Sequence, residues 1–563
     1  MSKREPDPSF LSQQFDMAVS SCKQGIQVVR QRGTGKITFW FIALLVGIAA
    51  GYAALVFRKA IYWLQSSLYG TDDVFNLHTF ISGLDWYWVV LIPTGGGLVV
   101  GLILHHFTND ARARSVGDVI LGAALHDGRV ETKAGVASAI ASWITLSTGG
   151  SSGREGPVVH IAGVISTWVS NKLNADGITG RDLLGCAVAA AVSASFNAPI
   201  AGALFALEVV LRHFAVHAFA PIVIASVAGT VINRLEFGGV TEYSLADYVD
   251  LQFYVELPAF LLLGLTCGLV AVALMRSIFW AEDLGNHLQT KTGAPRWLRP
   301  TVAGVLLGIM ALWYPHIIGV GYETLSLSLT GGIGMREAMV FAVFKVAAVA
   351  ITLGGRMGGG VFSPSLMIGA LVGLAFGLIA TGVFPDVSGS SSLYALAGMG
   401  AVAAAVLGAP ISTTLIVFEL TGDWQTGLAV MVAVSMSTAL ASRLVDRSFF
   451  LTQMERRGIH LAAGPQAYLL AMFMVARIMR RPNDPNAADE DECWALINEG
   501  TYIDGAATLE AAMPIFEATG ARFIPVVTLS ADAPPELLGA LFQVDALKAY
   551  NRALAATAAE EHS

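Results

Sequence analysis

The sequence predicts an all-α polytopic membrane protein that ends in a small α/β unit outside the membrane. Of its 563 residues, 54% are hydrophobic and only 13% are charged, against roughly 25% charged residues in an average soluble domain. Apolar stretches recur as far as residue 451, and a more polar segment follows them. These two observations place most of the chain in a lipid bilayer.

The apolar stretches are suited to crossing a membrane one at a time. Each approaches or exceeds ~20 residues, the length of one helical crossing. They comprise residues 37–55, 86–104, 257–275, 301–313, 338–353, 366–383 and 428–441. We therefore expect membrane helices to form the main body of the protein.

Basic residues flank the membrane region at both ends. Six precede the first apolar stretch and four follow the last, namely Lys3, Arg4, Lys23, Arg30, Arg32, Lys36, Arg443, Arg447, Arg456 and Arg457. Because positively charged segments stay on the cytoplasmic side, we expect both termini in the cytoplasm and an even number of crossings. The first 36 residues lack the pattern of a secretory signal peptide, and an inner or plasma membrane is the expected location.

Composition also narrows the class of function. A net charge of -8 offers no basic surface for nucleic acid. No zinc-protease HExxH and no phosphate-binding GxxxxGK occurs, so hydrolytic machinery is not visible. The four cysteines lie far apart and predict free thiols, at Cys22, Cys186, Cys267 and Cys493. We expect a protein that is not an enzyme and that needs no cofactor or metal.

One ionisable residue, Glu155, lies at the start of an apolar segment, inside the glycine-rich stretch GGSSGREGP at residues 149–157. A carboxylate at bilayer depth is costly, and irregular backbone there must be satisfied by protein or water. Pro157 suits the first turn of a helix, whose N-terminus attracts anions. Glu155 is then a built-in anion at an anion site, which blocks the site when ionised and vacates it when protonated. This pattern predicts a gate.

Two pairs of similar segments indicate an internal repeat. Pro157 and Pro364 each follow a glycine cluster, which places each at the start of a helix. Later in each half, a proline precedes a glutamate by nine positions, as Pro199 precedes Glu208 and Pro410 precedes Glu419. Interrupted apolar segments at matching places in two halves are typical of a transporter whose site is built from helix ends.

Hydropathy divides the chain into four parts. Residues 1–36 form a polar N-terminal segment, residues 37–461 the membrane region, and residues 462–492 a connector. Residues 493–563 carry helical patterns at 508–519 and 544–555 around a strand-like run at 522–527. These patterns predict a small α/β domain at the C-terminus.

These motifs resemble those of the CLC family of chloride channels and chloride/proton antiporters. GREGP at residues 153–157 resembles one family motif, GVFSP at residues 360–364 a second, and APIAG at residues 198–202 a further segment. The resemblance covers roughly residues 37–461, and residues 505–554 more weakly resemble a single CBS-type module. It implies a homodimer in which each subunit has its own pore, made of two inverted halves of short, tilted helices.

The resemblance also implies roles for particular residues. Glu155 corresponds to the gating glutamate, and the anion would be bound by backbone and side chains at Gly153, Arg154, Gly156, Gly360, Val361 and Phe362. A chloride ion there would meet amide donors, which favours binding weak enough for release. The CBS-like unit implies possible binding of an adenine nucleotide.

Three positions depart from the family pattern. Where the family has an inner-site serine, Arg114 falls in gapless register, and Ser115 fits only if the turn shifts by one residue; we favour Arg114. Phe450 falls at the position of an inner tyrosine and has no hydroxyl to donate. Val209 replaces the internal proton-carrying glutamate of the antiporters, and Glu208 is displaced from that position by about 100 degrees around the helix.

These departures bear on coupling. We favour chloride transport by passive, channel-like conduction gated by Glu155, with chloride/proton antiport along an atypical proton path as the alternative. A membrane sensor that has lost transport and is regulated through the CBS-like unit is the alternative from another class.

Overall fold

The computed structural model describes residues 36–71, 73, 76–175, 177–214, 216–238, 253–459, 470, 473–484, 486–505, 507–530 and 533–561. Cys22 and the basic residues before Lys36 lie outside the described residues, as does much of the expected connector. The protein is mostly helical, with one small sheet near the C-terminus.

The first half of the membrane region contains nine α-helices and one π-helix among the described residues. The α-helices, α1 to α9 in order, are Lys36–Tyr69, Leu77–Ile81, Trp86–Phe107, Val116–Leu125, Thr132–Ser147, Glu155–Leu173, Gly177–Phe196, Pro199–Phe205 and Val216–Phe237. The π-helix Ala206–Leu211 continues directly from α8.

The second half follows with helices of similarly uneven length. These helices, α10 to α18, are Phe253–Thr292, Leu298–Ala311, Tyr322–Leu329, Met335–Gly354, Phe362–Val383, Ser391–Leu407, Pro410–Thr421, Trp424–Leu444 and Phe449–Glu455. A 3-10 turn, Pro315–Ile317, lies between α11 and α12.

Seven described helices are long and apolar enough to cross a membrane. Six of them contain stretches predicted from hydropathy. The predicted stretch 301–313 is the exception, because it forms the 14-residue helix α11. The seventh long helix, α9, was missed, since Asn233 and Arg234 interrupt its apolar run.

Small residues allow the central helices to pack closely. Helices α14 and α15 cross at Gly369 and Gly398, where a Cβ added to Gly369 would lie 2.3 Å from the Gly398 carbonyl oxygen. Without a hydrophobic driving force between helices in lipid, such close backbone contact supplies the packing energy. The cysteines Cys186 and Cys267 are buried free thiols, as predicted.

The C-terminal unit combines a three-stranded sheet with helices α19 (Val475–Ile478), α20 (Glu490–Asn498), α21 (Leu509–Thr519) and α22 (Gln543–Glu561). Strand β1 (Ile503–Asp504) pairs in parallel with β2 (Phe523–Ser530), and β2 pairs antiparallel with β3 (Ala533–Phe542). The small α/β unit predicted from the sequence is therefore confirmed, and Cys493 is one of its buried thiols.

The two proline-to-glutamate segments contact each other reciprocally. The Glu208 carboxylate accepts hydrogen bonds from the backbone N–H groups of Ile411 (3.0 Å) and Ser412 (2.8 Å), at the start of α16. The Glu419 carboxylate accepts from Ile200 (3.0 Å) and Ala201 (2.8 Å), at the start of α8. Each half of the repeat thus caps a helix of the other half, and both carboxylates also meet the positive end of a helix dipole.

Removing either cap should destabilise the membrane region. We expect Glu208→Ala or Glu419→Ala to lower the free energy of unfolding by about 2 kcal/mol, because each leaves helix-start N–H groups without their charged acceptor. Thermal unfolding of the detergent-solubilised protein measures the effect. Glu236→Ala is the matched control, since its carboxylate is 42% exposed and pairs only with Lys59 among the contacts described; an equal loss in that variant would contradict the capping role.

Candidate anion pathway

Two glycine-rich loops, one from each half, meet inside the membrane region. The Gly153 N–H donates to the Gly360 carbonyl oxygen at 2.7 Å, and the Gly360 N–H donates to the Gly153 carbonyl oxygen at 2.8 Å. This isolated antiparallel bridge joins segments that are about two hundred residues apart in the chain. The two motifs recognised separately in the sequence therefore form one structure.

A helix begins immediately after each loop, in the same relation to its proline. Helix α6 begins at Glu155 and α14 at Phe362, so that Pro157 and Pro364 are both the third residue of their helix. Backbone N–H groups in a first turn have no carbonyl four residues earlier to bind, and they carry the positive end of the helix dipole. Two helix starts that favour an anion are thus brought together.

Only glycine fits where the loops touch. A Cβ on Gly156 would lie 3.1 Å from the Gly360 Cα, and a Cβ on Gly359 would lie 2.1 Å from the Ser152 Oγ. Gly359 also has a φ of +136°, a conformation that other residues rarely adopt. The glycines of the motifs are required for this contact between the halves.

The carboxylate of Glu155 reaches across to the second half. Its Oε1 accepts a hydrogen bond from the Ser363 hydroxyl at 2.5 Å, in the first turn of α14. The Arg154 Nε lies 4.0 Å from the same oxygen, and the Glu155 side chain is only 4% exposed. A carboxyl group of the protein therefore occupies the position that the α14 helix start makes favourable for an anion.

A cavity extends from this point to the surface. Glu155, Gly156, Gly360, Val361 and Phe362 line it, together with the aromatic side chains of Phe196, Phe205, Phe279, Phe449 and Phe450. Its other end is polar and is lined by Ser115, Gln453, Glu282 and three arginines, Arg112, Arg356 and Arg457, so that positive charges outnumber the one carboxylate. The cavity thus joins the Glu155 gate position to a positively charged opening.

Residues 96–442, which contain most of the cavity lining, match the family model described as "Voltage gated chloride channel". The chain belongs to the CLC family. It is therefore an integral multi-pass membrane protein whose function is anion transport of the CLC type. Proteins of this family are not enzymes. The match ends before the C-terminal unit, whose likeness to a CBS module stays a prediction.

Several curated CLC proteins are similar to this chain. It is 31% identical over 428 residues to chloride channel protein CLC-e of Arabidopsis thaliana, and the alignment covers 71% of this chain and 59% of that protein. It is 30% identical over 396 residues to a putative ClcB-like chloride channel protein of Ralstonia nicotianae, covering 70% of this chain and 91% of that protein. The chain thus spans about three fifths of the plant relative and most of the bacterial one.

Solved structures share the CLC fold. A slow cyanobacterial Cl⁻/H⁺ antiporter has a TM-score of 0.66 at 20% identity and covers 75% of this chain and 98% of its own. A eukaryotic CLC transporter has a TM-score of 0.64 at 18% identity and covers 92% and 98%. A CLC-type fluoride/proton antiporter has a TM-score of 0.60 at 19% identity and covers 73% and 97%. The predicted CLC-type architecture is confirmed.

Of the two candidates for the inner anion site, the favoured Arg114 lies away from the cavity and Ser115 lies at its wall. Ser115 lines the cavity as the residue before α4, and its backbone N–H donates to Asp118 Oδ2 at 2.9 Å. Arg114 does not line the cavity, because its guanidinium binds Asp110 Oδ2 at 2.8 Å and Glu131 Oε2 at 3.0 Å. Ser115 is therefore the one of the two candidates whose position in the fold suits an inner anion ligand.

The positive charge of Arg114 is neutralised by its ion pairs with Asp110 and Glu131. Burial by itself raises the pKa of the Asp110 carboxyl, but the hydrogen bond and positive charge of Arg114 outweigh burial and lower the pKa below its ordinary value. Both groups therefore stay ionised near neutral pH. Arg114 is a partner of carboxylates and not a free cation facing the CLC pathway.

Two further expected anion ligands are also placed elsewhere. Gly153 contributes the backbone bridge to Gly360 but does not line the cavity. Arg154 points away from it, donating from Nη2 to the Ser195 carbonyl oxygen at 2.9 Å and lying over the Tyr322 ring. The anion-binding roles expected for these two residues are therefore not supported by the geometry, because Gly153 is absent from the cavity wall and the Arg154 side chain is directed out of the cavity.

The proton-path positions lie on the π-helix. Val209 is buried at 5% exposure, and Glu208 is held by the α16 helix start as described above. Neither residue lines the cavity. A π-helix changes the angular spacing of side chains locally and often marks a functional segment of a helix. The direction in which Val209 and Glu208 point is therefore set by the π-helix and not by ordinary α-helical spacing.

Sequence reasoning missed two sets of residues in this site. Ser363 contacts Glu155, and its place between Phe362 and Pro364 in the second motif was a usable signal. Arg112, Arg356 and Arg457 come from three distant segments and share no motif. Only the folded chain brings these arginines to one opening.

Proposed function

We propose that the protein conducts chloride or a similar monovalent anion through the described cavity, with Glu155 as the gate. The observation that carries this proposal is the contact between the Glu155 carboxylate and Ser363 in the first turn of α14. An ionised Glu155 competes with a permeating anion for that helix start, and a protonated Glu155 does not. Backbone amides near Gly156, Val361 and Phe362, with the Ser115 hydroxyl further along, provide neutral donors for the anion.

Transport is proposed to be passive. Val209 carries no proton-transferring group, and the nearest carboxylate, Glu208, is engaged by Ile411 and Ser412. Phe450 lines the cavity without a hydroxyl, which leaves Ser115 to bind an inner anion without that donor. Antiport remains the second candidate, supported by the structural neighbours described as Cl⁻/H⁺ and fluoride/proton antiporters.

Chloride efflux from proteoliposomes, recorded together with pH, distinguishes the two candidates. Passive conduction predicts chloride flux without stoichiometric proton movement. Uphill proton transport driven by a chloride gradient would instead establish antiport and reject the passive mechanism. Absence of any anion flux under all gradients would favour the third candidate, a membrane sensor that has lost transport.

The inner anion contact can be tested with adjacent residues. We expect Ser115→Ala to weaken chloride binding about tenfold, because a hydrogen bond to a charged group contributes ~1.5–3 kcal/mol. Arg114→Gln is the matched control and should leave chloride affinity within about twofold, since Arg114 is turned toward Asp110 and Glu131. Calorimetric titration with chloride measures the affinity of both purified variants. A larger loss of affinity in the Arg114 variant than in the Ser115 variant would show that Arg114 is the anion ligand.

The expected assembly and location are proposals as well. We propose a homodimer in an inner or plasma membrane with both termini in the cytoplasm, on the basis of the family's organisation and the basic residues that flank the membrane region. Binding of an adenine nucleotide by the C-terminal unit rests only on its resemblance to a CBS module. Calorimetry with adenine nucleotides on the full-length protein tests it, and absence of heat would reject it.

A further inference from the structure

A group of five arginines surrounds the polar end of the cavity. We call Arg112, Arg296, Arg299, Arg356 and Arg457 the arginine mouth. An open groove lies next to the cavity. Both are lined by Arg112, Arg356 and Arg457, whereas Arg296 lines the groove but not the cavity. Arg299 lies behind them and shares the Asn286 side-chain oxygen with Arg356, at 2.6 Å and 3.2 Å respectively.

The arginine mouth carries more positive charge than its acidic partners neutralise. Arg112 pairs with Glu282, and Arg457 pairs with Asp118 at 2.9 Å. The other three donate to neutral oxygens: Arg296 to the Asn109 carbonyl, Arg299 to the Gly354 and Glu282 carbonyls, and Arg356 to the Asp110 carbonyl. In the part of the chain that the structure describes, no carboxylate forms an ion pair with these three guanidinium groups.

Arg356 is held in this group at a conformational cost. Its φ is +61°, in the left-handed region that non-glycine residues seldom adopt because of steric strain. Its Nε and that of Arg457 are buried without a hydrogen-bond acceptor among the described residues. Burial lowers the pKa of the Arg356 guanidinium, the charges of Arg112 and Arg296 lower it further, and the carboxylates of Glu282 and Asp110 offset only part of this effect. Like charges are therefore crowded at this point, with donors left over.

A single chloride ion in transit does not account for these features. Conduction needs weak binding at each site, and one or two positive charges suffice to attract a monovalent anion. Several forked guanidinium groups around one groove suit an anion with many oxygens and several charges, because each fork binds two phosphate oxygens at once. Clustered phosphates meet that description.

We propose that the arginine mouth binds a small anion with two or more clustered phosphates, such as the diphosphate or triphosphate group of a nucleotide. The bound anion fills the groove through which the cavity opens and so blocks anion passage. Binding at this place does not depend on the proposed gate, whereas the block rests on the proposed conduction pathway. The same phosphate chemistry is presented by a free anion or by a polyphosphorylated lipid headgroup.

Binding is measured first, independently of transport. Full-length protein in detergent is titrated in a calorimeter with inorganic pyrophosphate and, in parallel, with dioctanoyl phosphatidylinositol bisphosphate, each against sulfate at equal ionic strength. Saturable binding of pyrophosphate identifies a free anion as the ligand, and binding of the lipid analogue alone identifies a headgroup. Pyrophosphate lacks the adenine that a nucleotide site in the C-terminal unit would recognise, and the variants described next assign the signal to one of the two places. Binding no tighter than that of sulfate for both probes overturns the proposal.

Variants then place the site. Arg296→Gln and Arg356→Asn should each weaken binding of the probe about tenfold, and Asn is chosen because it tolerates the left-handed backbone at position 356. Arg276→Gln is the control, since Arg276 is an exposed arginine of α10 that bonds to the Leu444 carbonyl, outside the mouth. Unchanged binding in both mouth variants overturns the assignment. In proteoliposomes the same probe should inhibit chloride efflux over the concentration range in which it binds; binding without inhibition contradicts the block but not the site.

Discussion

Replacing Glu155 by glutamine should remove the pH dependence of anion flux and raise flux at neutral pH to the level that the unmodified protein reaches in acid. The carboxylate of Glu155 lies at the first turn of α14, bound to Ser363, where an anion is favoured. Glutamine has nearly the same shape but no charge at any pH. The variant therefore corresponds permanently to the protonated, open form. Chloride efflux from proteoliposomes between about pH 3.5 and pH 8 measures the change, since an unperturbed glutamate carboxyl, with a pKa of about 4.3, is mostly protonated only below that value.

Two further variants make this result interpretable. Asp386→Asn removes an exposed carboxylate beyond the end of α14 and should leave the pH profile unchanged. Ser363→Ala keeps the Glu155 charge but removes its hydroxyl donor, so the midpoint of the profile should move while the dependence persists. If Glu155→Gln retains the full pH dependence, the gate lies at another residue.

Substituting alanine for Gly359 should abolish transport while most of the protein stays folded. The added Cβ would lie 2.1 Å from the Ser152 Oγ and 2.5 Å from the Ser152 Cβ, and it would occupy a backbone with φ of +136°. The loop must then move away from its partner, which breaks the bridge between Gly153 and Gly360 and displaces the start of α14. We expect chloride flux to fall by more than about tenfold, because ångström-scale misplacement of a site is that costly.

The control for this experiment is another glycine of the same region. A Cβ on Gly382, near the end of α14, meets no atom within 4 Å, so Gly382→Ala should transport normally. The double variant Ser152→Gly with Gly359→Ala removes the side-chain clash but not the backbone strain, and it should recover part of the flux. Size-exclusion chromatography verifies that each variant is folded. Normal flux in Gly359→Ala would show that the loop contact is not needed for conduction.

Local patterns were sufficient to predict part of this site. The two proline-led helix starts, their glycines and the buried carboxylate of Glu155 are encoded within short segments. Each of these features depends on the chemistry of one residue and its immediate neighbours: proline lacks an N–H, glycine accepts a positive φ, and a charged group is costly in lipid. The pairing of the segments also followed from their repetition, and the bridge between Gly153 and Gly360 agrees with it.

Local sequence patterns could not decide whether Arg114 or Ser115 lines the cavity. One residue of shift in a turn changes which side chain faces the cavity, and the shift is set by contacts with distant groups. Arg114 is drawn to Glu131, and its backbone N–H donates to the Ser138 hydroxyl at 2.8 Å. Counting residues along the segment therefore favoured Arg114, whereas the folded chain places Ser115 at the cavity wall.

By itself the sequence determined the membrane class, the two-part repeat and the place of Glu155 at a helix start, because hydropathy, proline and glycine act locally. Tertiary structure alone decided that Ser115 lines the cavity, that Glu208 and Glu419 cap helices of the opposite half, and that three arginines from distant segments meet at one opening. Those outcomes depend on contacts between residues as far as 339 positions apart, as between Asp118 and Arg457, whose energies exist only once the helices have packed.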